Sequence, residues 1–389
     1  MATRVRSYCK INLGLAIGPV RADGFHGLAT LYQTLALHDL VTVEARKAAK
    51  SLITLTTNHS AVPTDERNTA WKMIELALDQ LRIAAEVKIH IQKDLPVQGG
   101  LGAGSANAAA ALLGLERELG LEPGTPGALS EAARLEIAAK VGSDVPLFLI
   151  GGAVEGKGRG EIVSAMADLP ATPCVVAVPE VGVSTPRAFQ EWDSLCGNKN
   201  KYRGPSTTAA EAASAQDDGD LKVFGTAKRL TQFSEPDRLE ALSHVYASLL
   251  GVPASDTSGI VRGIRPESKQ GGFEGNVPEE ESTQNGLAGN PLLALVRTGI
   301  ENDFEQVVFP QYPSLRDIKR LLLGPPDREA ASGSAIYAAL SGSGSALFGL
   351  YCSEADAVAA QQRVQDFGCR AIVTSTLPRP EYWRRMFAE

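Results

Sequence analysis

The chain has 389 residues, 44% of them hydrophobic, and a formal net charge of −7. That length is enough for two domains with cores of their own, at about 100–200 residues each. The acidic balance, without any run of Lys or Arg, argues against a nucleic-acid or anionic-membrane partner, and no stretch of about 18 uncharged apolar residues is present to span a bilayer. The five cysteines, Cys9, Cys174, Cys196, Cys352 and Cys369, form no Cys-x-x-Cys pair. They read as reduced thiols of a cytoplasmic protein, not as a disulfide or zinc framework. The opening MATRVRSYCKINLGL lacks the apolar core and cleavage site of a signal peptide.

Residues 4–17 and 39–56 read as strands, the latter rich in β-branched residues (VTVEA, LITLTT), with an Asp23-Gly24 turn signal between them. Asn68 opens a helix with Trp71, Ile74 and Leu78 near helical spacing. Over 85–92, Val87, Ile89 and Ile91 alternate with Lys88, His90 and Gln92, the pattern of a half-buried strand. The stretch PVQGGLGAGSANAAAAL, residues 96–112, then switches from glycine, a poor helix former, to alanine, the best one. A tight loop ending at a helix N-terminus, with Ser105 as the cap, accounts for that switch. The unpaired N–H groups and the dipole at such an end favour an anion, and glycines let a phosphate approach the backbone closely. A flexible surface loop ahead of a helix is the plainer alternative.

Further along, 128–140 reads as a helix ending near Gly142, VPLFLIGGAVEG as one or two short strands, and 172–179 as a strand. From 197 to 290 the composition turns to Gly, Ser, Thr, Ala and Glu, interrupted by one amphipathic piece with Leu239, Leu242, Tyr246 and Leu249 on one helical face. A segment so poor in large apolar residues does not offset its own ordering entropy, so it reads as a flexible insertion. Order returns with NPLLALVRTGIENDFEQVVFPQYPSLRDIKRLLL, helices broken by Pro310 and Pro313. SAIYAALSGSGSALFGLYC is strand, Gly/Ser turn and strand; EADAVAAQQRVQDF is a helix and CRAIVTSTL a closing strand. Strands alternating with helices in both ordered parts predict an α/β or α+β architecture.

Three glycine-marked segments stand out, 99–105, 151–160 and 341–345. Three at element junctions suit a site around a polyphosphate better than one does. The first is not a Walker loop, because no Gly-Lys-Ser/Thr follows, and it lacks the acidic residue of the dinucleotide fingerprint. Phosphoryl transfer also needs a group to take or orient the acceptor hydroxyl's proton and a cation for the moving charge. Asp144, a lone acid between Gly142 and Pro146, and Lys10, a lone cation inside an apolar strand, are the candidates. Taken singly, Asp144 also reads as a turn or cap residue and Lys10 as an outward-facing strand residue.

PVQGGLGAGSANAAAA resembles the phosphate-binding motif of the GHMP kinases. Within that family KINLGLAIGPVRADGFHGLATLYQTLALHDLVTV, GSDVPLFLIGGAVEGKGRGEIV, VGVSTPRAF and LSGSGSALFGLY resemble segments of the members that act on a cytidine-diphosphate-linked methylerythritol. The resemblance covers residues 5–195 and 291–380. It implies an α/β (α+β) fold of two domains, an ATP-binding one over 1–165 and a C-terminal one over 166–389 carrying the insertion, with the active site in the cleft between them. It implies ATP with Mg²⁺, a hard cation suited to bridging phosphate oxygens, and phosphorylation of the 2-hydroxyl of 4-(cytidine 5′-diphospho)-2-C-methyl-D-erythritol for non-mevalonate isoprenoid synthesis. A homoserine- or mevalonate-type kinase and a catalytically silent ligand-binding protein on the same fold stay open.

Carried over residue by residue, the resemblance makes Asp144 the base and Lys10 the cation beside it. Asn12 and His26 would hydrogen-bond the cytosine edge, Phe25 and Phe189 would stack on it, and Thr185 would lie on the same substrate side. Asn68 and Lys93 would lie near the nucleoside of ATP. Pro96, Gly99, Gly100, Leu101, Gly102, Ala103, Gly104 and Ser105 would cradle its phosphates, faced by Gly342, Ser343 and Gly344. The chain departs from the family pattern at Gln98 and Ala103, where glycine is usual, and at Ala106, where a serine is usual. The first two narrow the loop's conformations, and the third removes one hydroxyl ligand for phosphate or Mg²⁺.

Overall fold

The computed structural model describes residues 2–97, 99–201, 240, 243–244, 246, 296, 300–325 and 333–389. Gln98 and most of the expected insertion at 197–290 lie outside the described residues, and so does the expectation of flexibility there.

The first sheet is built on one long hairpin, β1 (Thr3–Val20) and β2 (His26–Lys47). It closes at the Asp23-Gly24 turn, where Gly24 takes φ +81°, a conformation that glycine adopts at little cost. The two halves of β2 serve different neighbours. Leu28–Gln33 pairs with β5 (Ala153–Gly158), while Leu40–Lys47 pairs with β4 (Ala85–Gln92). β3 (Leu52–Thr57) runs parallel to β4, β6 (Ile162–Ala165) extends β5, and β11 (Phe387–Ala388) returns from the end of the chain to β1. The predicted strand at 39–56 is therefore two elements, because β2 begins at His26 and the chain turns before Leu52.

Helices α1 (Thr69–Leu81), α2 (Ala103–Leu119) and α3 (Glu131–Val141) pack with this sheet around one core. The alanine run has a packing reason as well as a helical one. Ala106, Ala108, Ala109, Ala110 and Ala111 are all buried, and a side chain on Gly114 would collide with Val43 of β2. Small residues let α2 lie close on the sheet, which fixes the position of its N-terminus.

The second sheet is antiparallel, in the order β10 (Arg370–Ser375), β7 (Pro173–Val178), β9 (Leu347–Leu350), β8 (Tyr337–Leu340). Its core includes side chains of α4 (Thr185–Lys201), α5 (Glu305–Gln311), α6 (Pro313–Leu323) and α7 (Glu354–Asp366). Another cluster, with Ile11, Leu13 and Leu31 from the first sheet and Cys174, Val176 and Phe348 from the second, joins the two halves. Tyr246, inside the expected insertion, belongs to this joining core and is fully buried against Gly14.

Other expectations change. VPLFLI is a 3₁₀ turn, Pro146–Leu149, because Pro146 suits the first position of a helix and is a poor ladder residue. Pro313 does open α6, but Pro310 lies inside α5, where the next turn survives through Tyr312 N–H donating to Val308 O at 2.9 Å. The C-terminal helix α8 (Arg379–Arg385) was not foreseen. With β11 it returns Leu377, Tyr382 and Met386 to the core of the first sheet.

Candidate active site

β1 carries register shifts between Tyr8 and Lys10 and between Asn12 and Gly14. Such irregularities re-aim side chains, and they bracket Lys10 and Asn12. The Lys10 side chain is 3% exposed, so its three N–H donors need partners. It donates to Asn12 Oδ1 at 2.7 Å and Gly100 O at 2.9 Å, and it pairs with Asp144 Oδ2 at 3.3 Å. The other carboxylate oxygen accepts from the Tyr32 hydroxyl at 3.1 Å. Burial first, and then the Asp144 charge and hydrogen bond, hold that hydroxyl well above its ordinary pKa, so it stays a donor. The Asp144 side chain remains 31% exposed. The result is a carboxylate oriented from one side by a cation and a phenol and open on the other. Cys9, beside Lys10, is inert: burial pushes its thiol up to about 12.

The glycine loop ends at α2, and here the expected cap is corrected. Gly102, at φ +69°, occupies the N-cap position and offers no side-chain cap, so Ser105 lies inside the first turn. By contrast α1, α3 and α7 begin at Asn68, Ser130 and Ser353, whose side chains accept from their own helix. The open end of α2 thus keeps backbone donors for something else. A side chain on Gly100 would run into the Ser341 carbonyl, and one on Gly102 would crowd Phe148 and Lys10, so the loop tolerates only bare backbone at these points. Leu101 O accepts from Lys10 N–H at 3.0 Å, and Gly104 O accepts from Thr69 Oγ1 at 2.6 Å.

The second sheet meets this loop through its Gly/Ser turn. Ser341 Oγ donates to Gly100 O at 2.9 Å, and Ala346 N–H donates to Gly99 O at 3.1 Å. A Cβ on Gly342 would lie 3.6 Å from Lys10 Nζ. Asn302 Nδ2 donates to the carbonyls of Leu340 and Gly342, both at 2.8 Å, which fixes the turn. Ser343 Oγ lies 2.7 Å from Thr185 Oγ1, and Gly344 keeps φ +91° beside Leu340. The structure therefore brings Lys10, Asp144, Gly99–Ser105, Gly342 and Ser343 to one seam between the two sheets.

Some predicted residues have other engagements. Asn12 Oδ1 holds Lys10, and its Nδ2 donates to Thr30 Oγ1 at 2.8 Å. Asn68 caps α1 and donates to Pro63 O at 2.7 Å. The Lys93 ammonium is sealed on Asp39 at 2.6 Å, and Pro96 packs beside Gly99. His26 stacks on Phe189 with ring centroids 4.9 Å apart, while Nδ1 lies 2.9 Å from Gly18 O and Nε2 3.2 Å from Asp193. Phe189 also meets Phe304 edge-on at 5.0 Å. Phe25 is half exposed, with the Arg159 guanidinium 4.8 Å over its ring. Tyr32, Thr30, Asp39, Asn302 and Arg159 were missed. No local pattern separates them from ordinary strand and turn residues; for Arg159 the flanking Gly158 and Gly160 were the available signal.

Among the described residues no three His, Cys, Asp or Glu side chains converge. A divalent cation would therefore take most ligands from phosphate and water. Ser105, in the first turn of α2, fits as the protein's contribution, since it carries the one hydroxyl of the Gly99–Ser105 loop.

The family described as GHMP kinases N terminal domain matches residues 68–152, and GHMP kinases C terminal matches residues 290–368. A 4-diphosphocytidyl-2-C-methyl-D-erythritol kinase of Thermobifida fusca is 37% identical over 272 residues, 67% of this chain and 84% of that protein. The enzyme of the same name in Caldicellulosiruptor saccharolyticus is 36% identical over 189 residues, 49% of this chain; the match spans 62% of that relative's length, short of two thirds. A crystal structure of 4-(cytidine 5'-diphospho)-2C-methyl-D-erythritol kinase has the same fold, with a TM-score of 0.58 at 24% identity, covering 96% of this chain and 98% of that one.

Proposed function

The chain belongs to the GHMP kinase family, and from that premise we propose that it transfers the γ-phosphoryl group of ATP to the 2-hydroxyl of 4-(cytidine 5′-diphospho)-2-C-methyl-D-erythritol. The observation that carries the reading is the uncapped N-terminus of α2 beside the Lys10–Asp144 pair. An open helix end binds phosphate oxygens, and a half-open carboxylate next to it is where an acceptor alcohol needs its proton taken or oriented.

In this reading Gly99–Ser105 and the Gly342–Gly344 turn hold the triphosphate. Asp144, kept in place by Lys10 and Tyr32, orients the hydroxyl for in-line attack and receives its proton. Lys10 stabilises charge on the group in transit and couples the loop to the carboxylate through Gly100 O. Mg²⁺, when bound, would neutralise phosphate charge, with the Ser105 hydroxyl the group suited to help hold it. The base side is formed by Phe25, His26 and Phe189, which gives an acceptor with a nucleobase something to recognise that homoserine or mevalonate does not need. Among the described residues no helix is long and apolar enough to cross a membrane, and the five cysteines are free thiols. Both suit a reaction placed in the cytoplasm.

The test is turnover by the purified protein with ATP, Mg²⁺ and each of three acceptors: the cytidine-linked alcohol, homoserine and mevalonate. The expected outcome is ADP formation and a new phosphomonoester with the first alone. Preference for either of the others, or binding without turnover, overturns the reading.

A further inference from the structure

The β5–β6 hairpin turn, Gly158–Arg159–Gly160, borders the site described above, and the proposed function gives it no task. Gly160 lies against the Tyr32 hydroxyl, and a Cβ there would be 3.9 Å from Asp144 Oδ1. Gly158 and Gly160 hold φ +73° and +104°, so the turn is tight and throws Arg159 outward. Its guanidinium covers the Phe25 ring at 4.8 Å. Glu161 restrains it: one carboxylate oxygen accepts from the Arg159 backbone N–H, and the other lies 3.5 Å from Nε. The side chain is 32% exposed. The neighbouring cation Arg21 is committed to Asp23 at 3.0 Å.

Arg159 therefore spans two points. Its chain neighbour Gly160 lies against the Tyr32 phenol, near the Asp144 carboxylate, and its own head group rests on the aromatic ring of the base side. Resting on the proposed function, we infer that Arg159 recognises the diphosphate that joins the nucleoside to the alcohol in the acceptor. That linker has to run from the base at Phe25 to the hydroxyl at Asp144, and Arg159 belongs to the turn that reaches both ends. A guanidinium presents a planar fork of donors matched to phosphate oxygens. Held by Glu161 at Nε and by Phe25 at its face, it loses little freedom on binding. Arg159 thus makes the enzyme select a nucleoside diphosphate derivative over a neutral nucleoside.

Two competitive inhibitors separate this assignment from a structural role: cytidine 5′-diphosphate and cytidine. In Arg159→Ala the inhibition constant of the diphosphate is expected to rise about 10–100-fold, the range for a lost charge-assisted bidentate contact, while that of cytidine changes less than about threefold. The KM for the acceptor rises with the diphosphate's constant and by more than kcat falls, and the KM for ATP stays within about twofold. Arg159→Lys restores part of the loss, as a point charge without the fork. Equal weakening of cytidine and its diphosphate would mean that Arg159 only supports the Phe25 ring, and an equal shift in ATP would assign it to the nucleotide; either overturns the inference, as does no change at all. A wild-type enzyme that binds neither cytidine ligand overturns the substrate reading itself, and this inference with it.

Discussion

Two lysine–aspartate pairs are rooted at the first sheet, and only one of them leaves its acid open to solvent. Lys93 and Asp39 are 2.6 Å apart with side chains 4% and 0% exposed, and Asp39 also accepts the backbone N–H groups of Asp94 and Leu95 at 2.9 and 2.7 Å. That carboxylate is saturated and sealed; it pins the strand end from which the glycine loop departs. Lys10 and Asp144 are 3.3 Å apart, the lysine as buried as its counterpart but the acid 31% exposed. The same two residue types make a clamp where both are sealed and, in the proposed function, a reactive group where the acid keeps one open side. A third pair, Glu116 and Arg134 at 2.9 Å, is sealed but incomplete, with Glu116 Oε1 and Arg134 Nε lacking partners.

The largest expected effect comes from Asp144→Asn, nearly isosteric but unable to take a proton. Turnover should fall by about 10²–10⁴-fold, the range for a general acid–base group, with ATP binding kept; thermal stability falls little, because Lys10 retains the Asn12 and Gly100 oxygens as acceptors. A variant within a few-fold of wild type breaks the distinction from the reactive side. Asp39→Asn tests the clamp. It strands the Lys93 ammonium in the interior, so denaturant titration should show a loss of about 3–5 kcal/mol. A stability change as small as that of Asp144→Asn would make the two pairs equivalent.

Glu116 sharpens the comparison through pH. Burial pushes its pKa from 4.5 up to about 7 despite the Arg134 charge. The folded state therefore holds the proton more tightly than the unfolded one. Its contribution is fully present below about 4.5 and is lost as pH rises to about 7. The decline is at most about 3 kcal/mol. Unfolding titrations at several pH values should show it in wild type and not in Glu116→Gln. The smallest effect is a labelling contrast. Cys352 is exposed and should be alkylated by iodoacetamide at neutral pH in the folded enzyme, while buried Cys9 stays unmodified until the protein unfolds. Rapid labelling of Cys9 would mean that the Lys10 side of the pair is as open as the Asp144 side.

What the amino-acid order determined by itself was local. The alternation Val87, Ile89, Ile91 specified a strand, the cap at Asn68 a helix start, and the glycine-to-alanine switch a loop feeding a helix, because each is written in backbone preference and short-range periodicity. The motif resemblance pointed to Lys10, Asp144 and the two glycine turns, which the fold gathers at one seam. Tertiary structure decided the rest. Asn12 and Lys93, expected at ligands, hold Lys10 and Asp39 in the fold, because a buried polar group has to find a partner, and which one it finds depends on strands far apart in sequence. The helix cap shifted from Ser105 to Gly102 because the loop is pressed between Ser341 and Lys10, a contact absent from any local window. The C-terminal return of α8 and β11, the burial of Tyr246 over Gly14, and the meeting of Arg159 with Phe25 are likewise products of long-range packing. Local preferences choose the elements, and the pairing of distant polar groups chooses what each side chain does.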